Sequence, residues 1–581
     1  MLPLRAEGYK LRRGKQALFW FALVGVVFLG VPDPWMPRAI LKYRQRLLGE
    51  LKYQAPPVSR GVTLGTVEEF CPNEHPEWRE AQVIEGVEIE RSPVCEPDNP
   101  YLVAAVVKGT NNVSHDTLMR AGLAPDAVVL GRDLDGDGDP DEVEIHLEVV
   151  ELNGASPDTA EPVPGFAIGP GIRPAFWVFA PKGFGMATRS LEDLRANPLY
   201  RVPSPTIRVE QGDEVTIVLE NTHYLPHSIH FHGVDHPYHP PFHPPLDLKG
   251  SLPGGDGVPE TSEMVPMPGQ KHIYRLRPRH AGTMLYHCHV QPQAHLLMGL
   301  QGLFVVEEQR PNNWVQTLNV GAGHVRHRSV AVRERYDREY DLHYMDLDKE
   351  LHEFVQRAND PRLIAKAIDH TYDVTERTAD YFLVNGRMFP YSLRDSLVVV
   401  KPNEKVKLRV ANGGMQKLAL HPHGHKVTIT AYDGVDVNPV AWITRDVVDV
   451  DTAQRVDLVL DTTNDGLHSY GEGVWLLHDH HENAVTTDGV FPGGGITAIV
   501  YESYLDENGV PKVSGIDWKP FFSPEYYRKK IPSLATYGDD TRIFREPAEA
   551  TPRGSRVFIW GLAAGLGMGA VVALFLGRRR R

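Results

Sequence analysis

The tripeptide His287-Cys288-His289, at the end of the apolar run Gly282-Thr283-Met284-Leu285-Tyr286, constrains this 581-residue chain more than any other stretch. Successive side chains of a strand point to opposite faces, so Cys288 faces one way while His287 and His289 face the other. A thiolate joined by a later histidine is the ligand set of a blue-copper electron-transfer site, and two imidazoles on the opposite face offer neutral nitrogens to a second centre. One tripeptide can therefore wire two metal sites together. The plainer reading of the same residues is a buried free thiol between hydrogen-bonded interior histidines, and three further stretches decide against it.

These stretches are His227-Ser-Ile-His230-Phe-His232-Gly233, His421-Pro-His423-Gly-His425 and His478-Asp-His480-His481. Each has His-x-His at strand spacing, which sets two imidazoles on one face. With His287 and His289, four such pairs supply eight histidines. Over roughly residues 203–501 the chain resembles the multicopper oxidases, whose trinuclear copper cluster takes eight histidines from four such motifs. The resemblance implies two cupredoxin-like domains and an oxidoreductase with O2 as acceptor. Short alternating runs punctuated by Gly, Pro and Asn recur at residues 206–221 and 396–412, two copies of one antiparallel plan. An all-β fold of two Greek-key β-sandwiches is expected from them.

The resemblance assigns ligands residue by residue. Type 1 copper takes His227, Cys288 and a second histidine; the family's position five after the cysteine holds Gln293, and the nearest histidine is His295, at seven. Aligning on His-x3-Gly-x recovers His295-Leu-Leu-Met298-Gly299-Leu300, a two-residue insertion in the ligand loop. Leu300 then takes the axial position; Met298 is the alternative, should the shifted loop let it reach the copper. Type 2 copper takes His230 and His421, and the type 3 pair takes His232, His287, His289, His423, His478 and His480, which makes four coppers per subunit. His425 and His481 fall outside the pattern. Leu418 stands where a second blue-copper histidine would precede His421, and no cysteine follows it. Blue copper in the first domain only is the pattern of two-domain enzymes whose cluster lies between subunits, so a homotrimer is implied. Asp256 matches an acid of the family that assists proton delivery, although Asp-Gly is also a turn signal. His236, His239 and His243, in a proline-rich loop, are either a copper-entry or substrate-side site or simple loop packing.

The remaining chain divides as follows: a membrane anchor and amphipathic segment at 1–55, an extension at 56–165, the first cupredoxin domain at 166–310, the second at 311–505, a C-terminal extension at 506–555, and a transmembrane helix with basic tail at 556–581. A charged, helix-prone insertion at 333–369 precedes the core strands of the second domain. Lys10, Arg12, Arg13 and Lys15 precede an apolar run at 17–31, and an apolar run at 557–577 precedes four arginines. Only the second reaches the ~20 residues that span a bilayer. The first is a signal-peptide core or an anchor; Pro32-Asp33-Pro34-Trp35, with no small-x-small cleavage site, favours the anchor. With both basic flanks in the cytoplasm, the catalytic domains lie on the periplasmic side of the cytoplasmic membrane. Residues 37–54 are an interfacial amphipathic helix or an ordinary surface helix.

With Cys288 assigned to copper, two of the three cysteines remain, and Cys71 and Cys95 are expected to pair outside the cytoplasm or to stay reduced inside it. Asp133, Asp135, Asp137, Asp139, Asp141 and Glu144 place oxygens around Gly138 at the spacing of a calcium loop, with a strand rather than a helix following. An acidic solvated turn is the alternative. Formal charge is −14; the first sixteen residues and the last four arginines carry +4 each, leaving −22 between them. Such an exterior would steer a basic cytochrome c or a cupredoxin as electron donor, or simply keeps the protein soluble; small phenols and the ions copper(I), iron(II) and manganese(II) stay open as donors, and no nucleic-acid partner is expected. A copper nitrite reductase, which needs fewer cluster histidines, and a copper-binding subunit of a membrane complex are the competing readings.

Overall fold

The computed structural model describes residues 70, 80–91, 99–154, 165–183, 199–238, 251–319, 335–358 and 360–529, all within one unit, Leu64–Asp539. Strands dominate because apolar residues alternate with polar ones. In Glu214–Glu220, Val215, Ile217 and Leu219 are buried on one face while Glu214, Thr216 and Glu220 lie on the other. This strand pairs antiparallel with Lys271–Leu276 and parallel with Glu142–Leu152, which itself pairs with Phe176–Pro181. The second sheet has the order Ile207–Glu210, Gln301–Glu307, Gly282–His287, His230–His232. A single core, including Ile145, Trp177 and Ile217 from one sheet and Ile207, Tyr286 and Phe304 from the other, fills the sandwich.

The second sandwich repeats the plan. Arg338–Leu347 runs parallel to Lys405–Asn412 and antiparallel to Tyr381–Val384, as Glu142–Leu152 does with Glu214–Glu220 and Phe176–Pro181. Its partner sheet has the order Val398–Val400, Thr497–Tyr501, Val474–Asp479, Leu418–Pro422, Val448–Val450. Leu342, Val406 and Leu408 meet Val398, Leu420, Leu477 and Ile499 between the sheets. Each sandwich thus contributes the first strand of a His-x-His pair and the strand that carries its partner side by side.

Three expectations change. The sequence division puts residues 142–152 in an extension, yet Glu142–Leu152 is a central strand of the first sandwich. The reason is long-range pairing with residues 214–220, which no local pattern reports. The insertion at 333–369 does hold helices Lys349–Ala358 and Pro361–His370, but it begins with the strand Arg338–Leu347, whose residues 340–347 are all buried. Its acids are tolerated because Arg208, itself buried, sits 2.8 Å from Glu307, 3.1 Å from Glu339 and 2.6 Å from Asp341, while Arg409 pairs with Glu339 and donates to Thr283 Oγ1 at 2.7 Å. Paired and fully hydrogen-bonded charges escape the desolvation cost that would otherwise keep them outside. In the acidic loop, Asp133, Asp135 and Asp141 converge to ligand spacing. Asp137 Oδ2 and Asp135 Oδ2 accept from Gln309, and Asp139 accepts from Asn313 N. Glu144 departs from the expectation: it lies within the strand and bonds His146 Nε2 at 2.7 Å, because the strand's pleat carries it away from the loop.

Among the described residues no helix is long and apolar enough to cross a membrane. The apolar runs at 17–31 and 557–577, the amphipathic segment at 37–54, Cys71, Cys95, His239 and His243 lie outside the described residues.

Candidate metal centre

Cys288 follows directly on the strand Gly282–His287, and its amide donates to Leu300 O at 3.0 Å, which closes the loop between them. Inside that loop Gln291 takes φ 45° and a short helix, Pro292–His295, forms. It delivers His295 Nδ1 to 3.5 Å from Cys288 Sγ, and His227 Nδ1 lies 3.7 Å from the same sulfur. All three side chains are fully buried. Burial pushes the Cys288 thiol up to about 12 and His295 down to about 3, and burial likewise carries His227 well below its ordinary value. The histidines are thus neutral and ligand-competent, whereas a thiolate here needs a cation beside it. Two Nδ1 atoms and one sulfur within 4.8 Å of one another fit a soft, trigonal metal site. Met298 and Leu300 are both buried beside it.

The other histidines form two sets with the same internal geometry. In the first sandwich His287 lies opposite His230 in the ladder; in the second, His421 lies opposite His478. His230 Nδ1 donates to Asp256 O at 2.7 Å, and His421 Nδ1 to Asp446 O at 2.7 Å. His287 Nδ1 donates to Cys288 O at 2.9 Å, and His478 Nδ1 to Asp479 O at 2.8 Å. Each bond fixes the tautomer and leaves Nε2 free for a metal. The Nε2 atoms of His232 and His287 stand 2.9 Å apart, and those of His423 and His478 stand 3.0 Å apart. Two nitrogens each about 2 Å from one metal would have this separation. His289 packs 5.5 Å from His230, and His480 packs 5.3 Å from His421, ring to ring. His289 Nδ1 is buried without a partner, and the His480 side chain is exposed. Among the described residues no ring contact joins one set to the other.

Asp256 Oδ1 lies 3.0 Å from both His230 Nδ1 and His236 Nε2. The loop carrying it is held by Glu263, whose Oε2 accepts from the amides of Gly255 and Gly257 and whose Oε1 accepts from Tyr274. His425 is satisfied by His423 O and Tyr501, and His481 by Asp479, so both serve the scaffold. Sequence reasoning passed over His223 and Trp177. His223 Nδ1 is 2.8 Å from His227 Nε2, and the Trp177 ring lies 5.0 Å from His223 and 5.2 Å from His295. The one available signal was His223-x3-His227, a spacing with no strand or metal motif behind it.

A buried cysteine-imidazole site one peptide bond from a cluster of imidazoles, on repeated β-sandwiches, offers ligand sets suited to two kinds of copper centre. Residues 200–311 and 351–485 match two family profiles, each described as multicopper oxidase. Copper resistance protein A of Pseudomonas syringae pv. tomato is 26% identical over 278 residues, 45% of this chain and 42% of that protein. The chain spans less than half the length of such curated relatives. Among solved structures, the multicopper oxidase mgLAC is 24% identical over 66% of this chain and 92% of its own, with a TM-score of 0.44. The blue copper oxidase from Nitrosomonas europaea is 24% identical over 67% and 93%, with a TM-score of 0.42. The two sandwich regions, residues 200–311 and 351–485, are thus similar to multicopper oxidase domains.

Proposed function

We propose that this protein couples one-electron oxidation of a donor at His227, Cys288 and His295 to reduction of O2 to water at a trinuclear site shared by the two histidine sets. The observation that carries the reading is the matching geometry of those sets, down to Nε2 pairs 2.9 and 3.0 Å apart. Copper, when bound, supplies one-electron transfer at the first site and joint delivery of four electrons to O2 at the second. The chain's own residues do the rest. Cys288 joins covalently to His287 and His289, so the path between sites runs through bonds. His230 and His421 take the type 2 position, and His232, His287, His289, His423, His478 and His480 the type 3 positions. Asp256, beside His230 and His236, is placed to hold one of the four protons that O2 consumes.

Each set supplies only half of the ligands, and in the second the His480 side chain is exposed. Val440, Trp442 and Ile443, exposed by 94%, 36% and 46%, precede the Asp446 carbonyl that holds His421. Half-sites of this kind beside apolar surface support a homotrimer in which the first sandwich of one copy meets the second of its neighbour. The same proposal includes anchoring in the cytoplasmic membrane with the sandwiches outside, a cytochrome c or cupredoxin as donor, and calcium at Asp133, Asp135 and Asp141. Copper-loaded protein should hold four coppers per chain, show a blue absorption band, sediment as a trimer and consume O2 with a one-electron donor. Nitrite reduction without O2 uptake would replace the reading with a nitrite reductase, and copper binding without turnover with an assembly subunit. Calcium titration by calorimetry tests the loop, and Asp135→Asn should abolish the binding.

A further inference from the structure

We propose that His223 is a positioning residue of the type 1 site: its Nδ1 accepts from His227 Nε2–H, which fixes the ligand tautomer and makes that imidazole a stronger donor to the metal. The inference rests on the type 1 reading of His227, Cys288 and His295. His227 turns Nδ1 toward Cys288 Sγ, so its proton sits on Nε2, 2.8 Å from His223 Nδ1. His223 must then carry its own proton on Nε2, which faces Glu151 Oε2 at 3.5 Å, ion-pair distance rather than a full hydrogen bond. Tyr224 packs on His223 with ring centroids 3.9 Å apart and donates to the same Glu151 oxygen at 2.9 Å. A ligand imidazole, a second imidazole and a carboxylate therefore stand in line from the metal position outward. A hydrogen-bonded partner on the far nitrogen raises the basicity of a ligating histidine and holds its ring plane.

The second histidine has no such support. His295 Nε2 is buried without a hydrogen-bond partner, with the Trp177 ring edge-on to it. The two imidazoles are thus chemically unequal, one hydrogen-bonded to His223, whose far nitrogen faces Glu151, and the other without a partner on its far nitrogen. Neither reaches solvent, so a donor does not touch a ligand.

Redox titration of the blue band in copper-loaded full-length protein tests the inference. His223→Leu removes the acceptor; the reduction potential should rise and the charge-transfer band should shift. His223→Asn places Oδ1 near the position of Nδ1 and should recover most of both changes. Glu151→Gln should raise the potential by less than His223→Leu. In metal-free protein, the His227 Nε2 proton should be slow to exchange by NMR in the parent and in His223→Asn and fast in His223→Leu; equal exchange in the parent and in His223→Leu overturns the hydrogen bond. Intact blue protein in which His223→Leu, His223→Asn and Glu151→Gln all titrate like the parent overturns the relay. Absence of any blue band in the copper-loaded parent overturns the type 1 reading itself, a result distinct from the first.

Discussion

The ligand residues separate into those that colour the protein and those that turn it over. His423 and His478 lie on the second sandwich, away from Cys288, and their Nε2 atoms meet at 3.0 Å. Replacing either with alanine should leave the blue absorption and abolish O2 reduction, measured as oxygen uptake; full oxidase activity in either variant would refute the type 3 assignment. At the axial position the alignment through the Pro292–His295 turn favours Leu300. A leucine cannot coordinate, whereas a thioether donates weakly and favours oxidised copper. Leu300→Met should therefore lower the type 1 potential, and Met298→Ala should change it little. If Met298 is the axial group, the effects exchange places, and redox titration of the two variants distinguishes them. The histidines themselves were legible because His-x-His on a strand is a local statement. His223 was not, since its value depends on a hydrogen bond that only the fold creates.

Elements are tied together by charges whose partners are distant in sequence. Glu220 ends one strand and meets Lys271 at 2.7 Å, Lys182 at 2.9 Å and His146 at 3.1 Å, so it joins four neighbouring segments of one sheet. Burial raises its pKa, but the hydrogen bonds from Lys271, Lys182 and His146 outweigh burial and hold it at about 2. A carboxylate lowered on folding contributes stability that is present above its unfolded value and lost as pH falls through the folded one. The window here runs from about 4.5 down to 2. Glu220→Gln should cost about 1–3 kcal/mol at neutral pH and flatten the acid limb of denaturant melts between those values; an unchanged limb would show the network to be solvent-screened. The strand Arg338–Leu347 makes the complementary point. Asp341→Asn leaves Arg208 without its nearest charge, and breaking a buried pair costs about 3–5 kcal/mol, to be read from chemical denaturation.

At the scale of the whole molecule, the proposed sharing of a cluster between copies predicts that activity depends on assembly. Val440→Asp with Trp442→Arg places charge on the exposed apolar hairpin next to the Asp446 carbonyl. Light scattering should then report monomer, the blue band should survive because the type 1 site lies within one sandwich, and oxygen uptake should be lost. A monomer that retains oxidase activity would rule out a cluster shared between copies.

The sequence by itself determined the metal chemistry and the repeated β plan, because ligand type is a property of single residues and strand alternation repeats every second position. Tertiary structure alone decided three further things: that residues 142–152 complete the first sandwich, that the acids of residues 338–347 are buried against Arg208 and Arg409, and that His223 and Trp177 cover the type 1 ligands. Each of these rests on partners distant in sequence or on the packing of separate elements. Pairing register, charge neutralisation and burial become defined only when those elements meet.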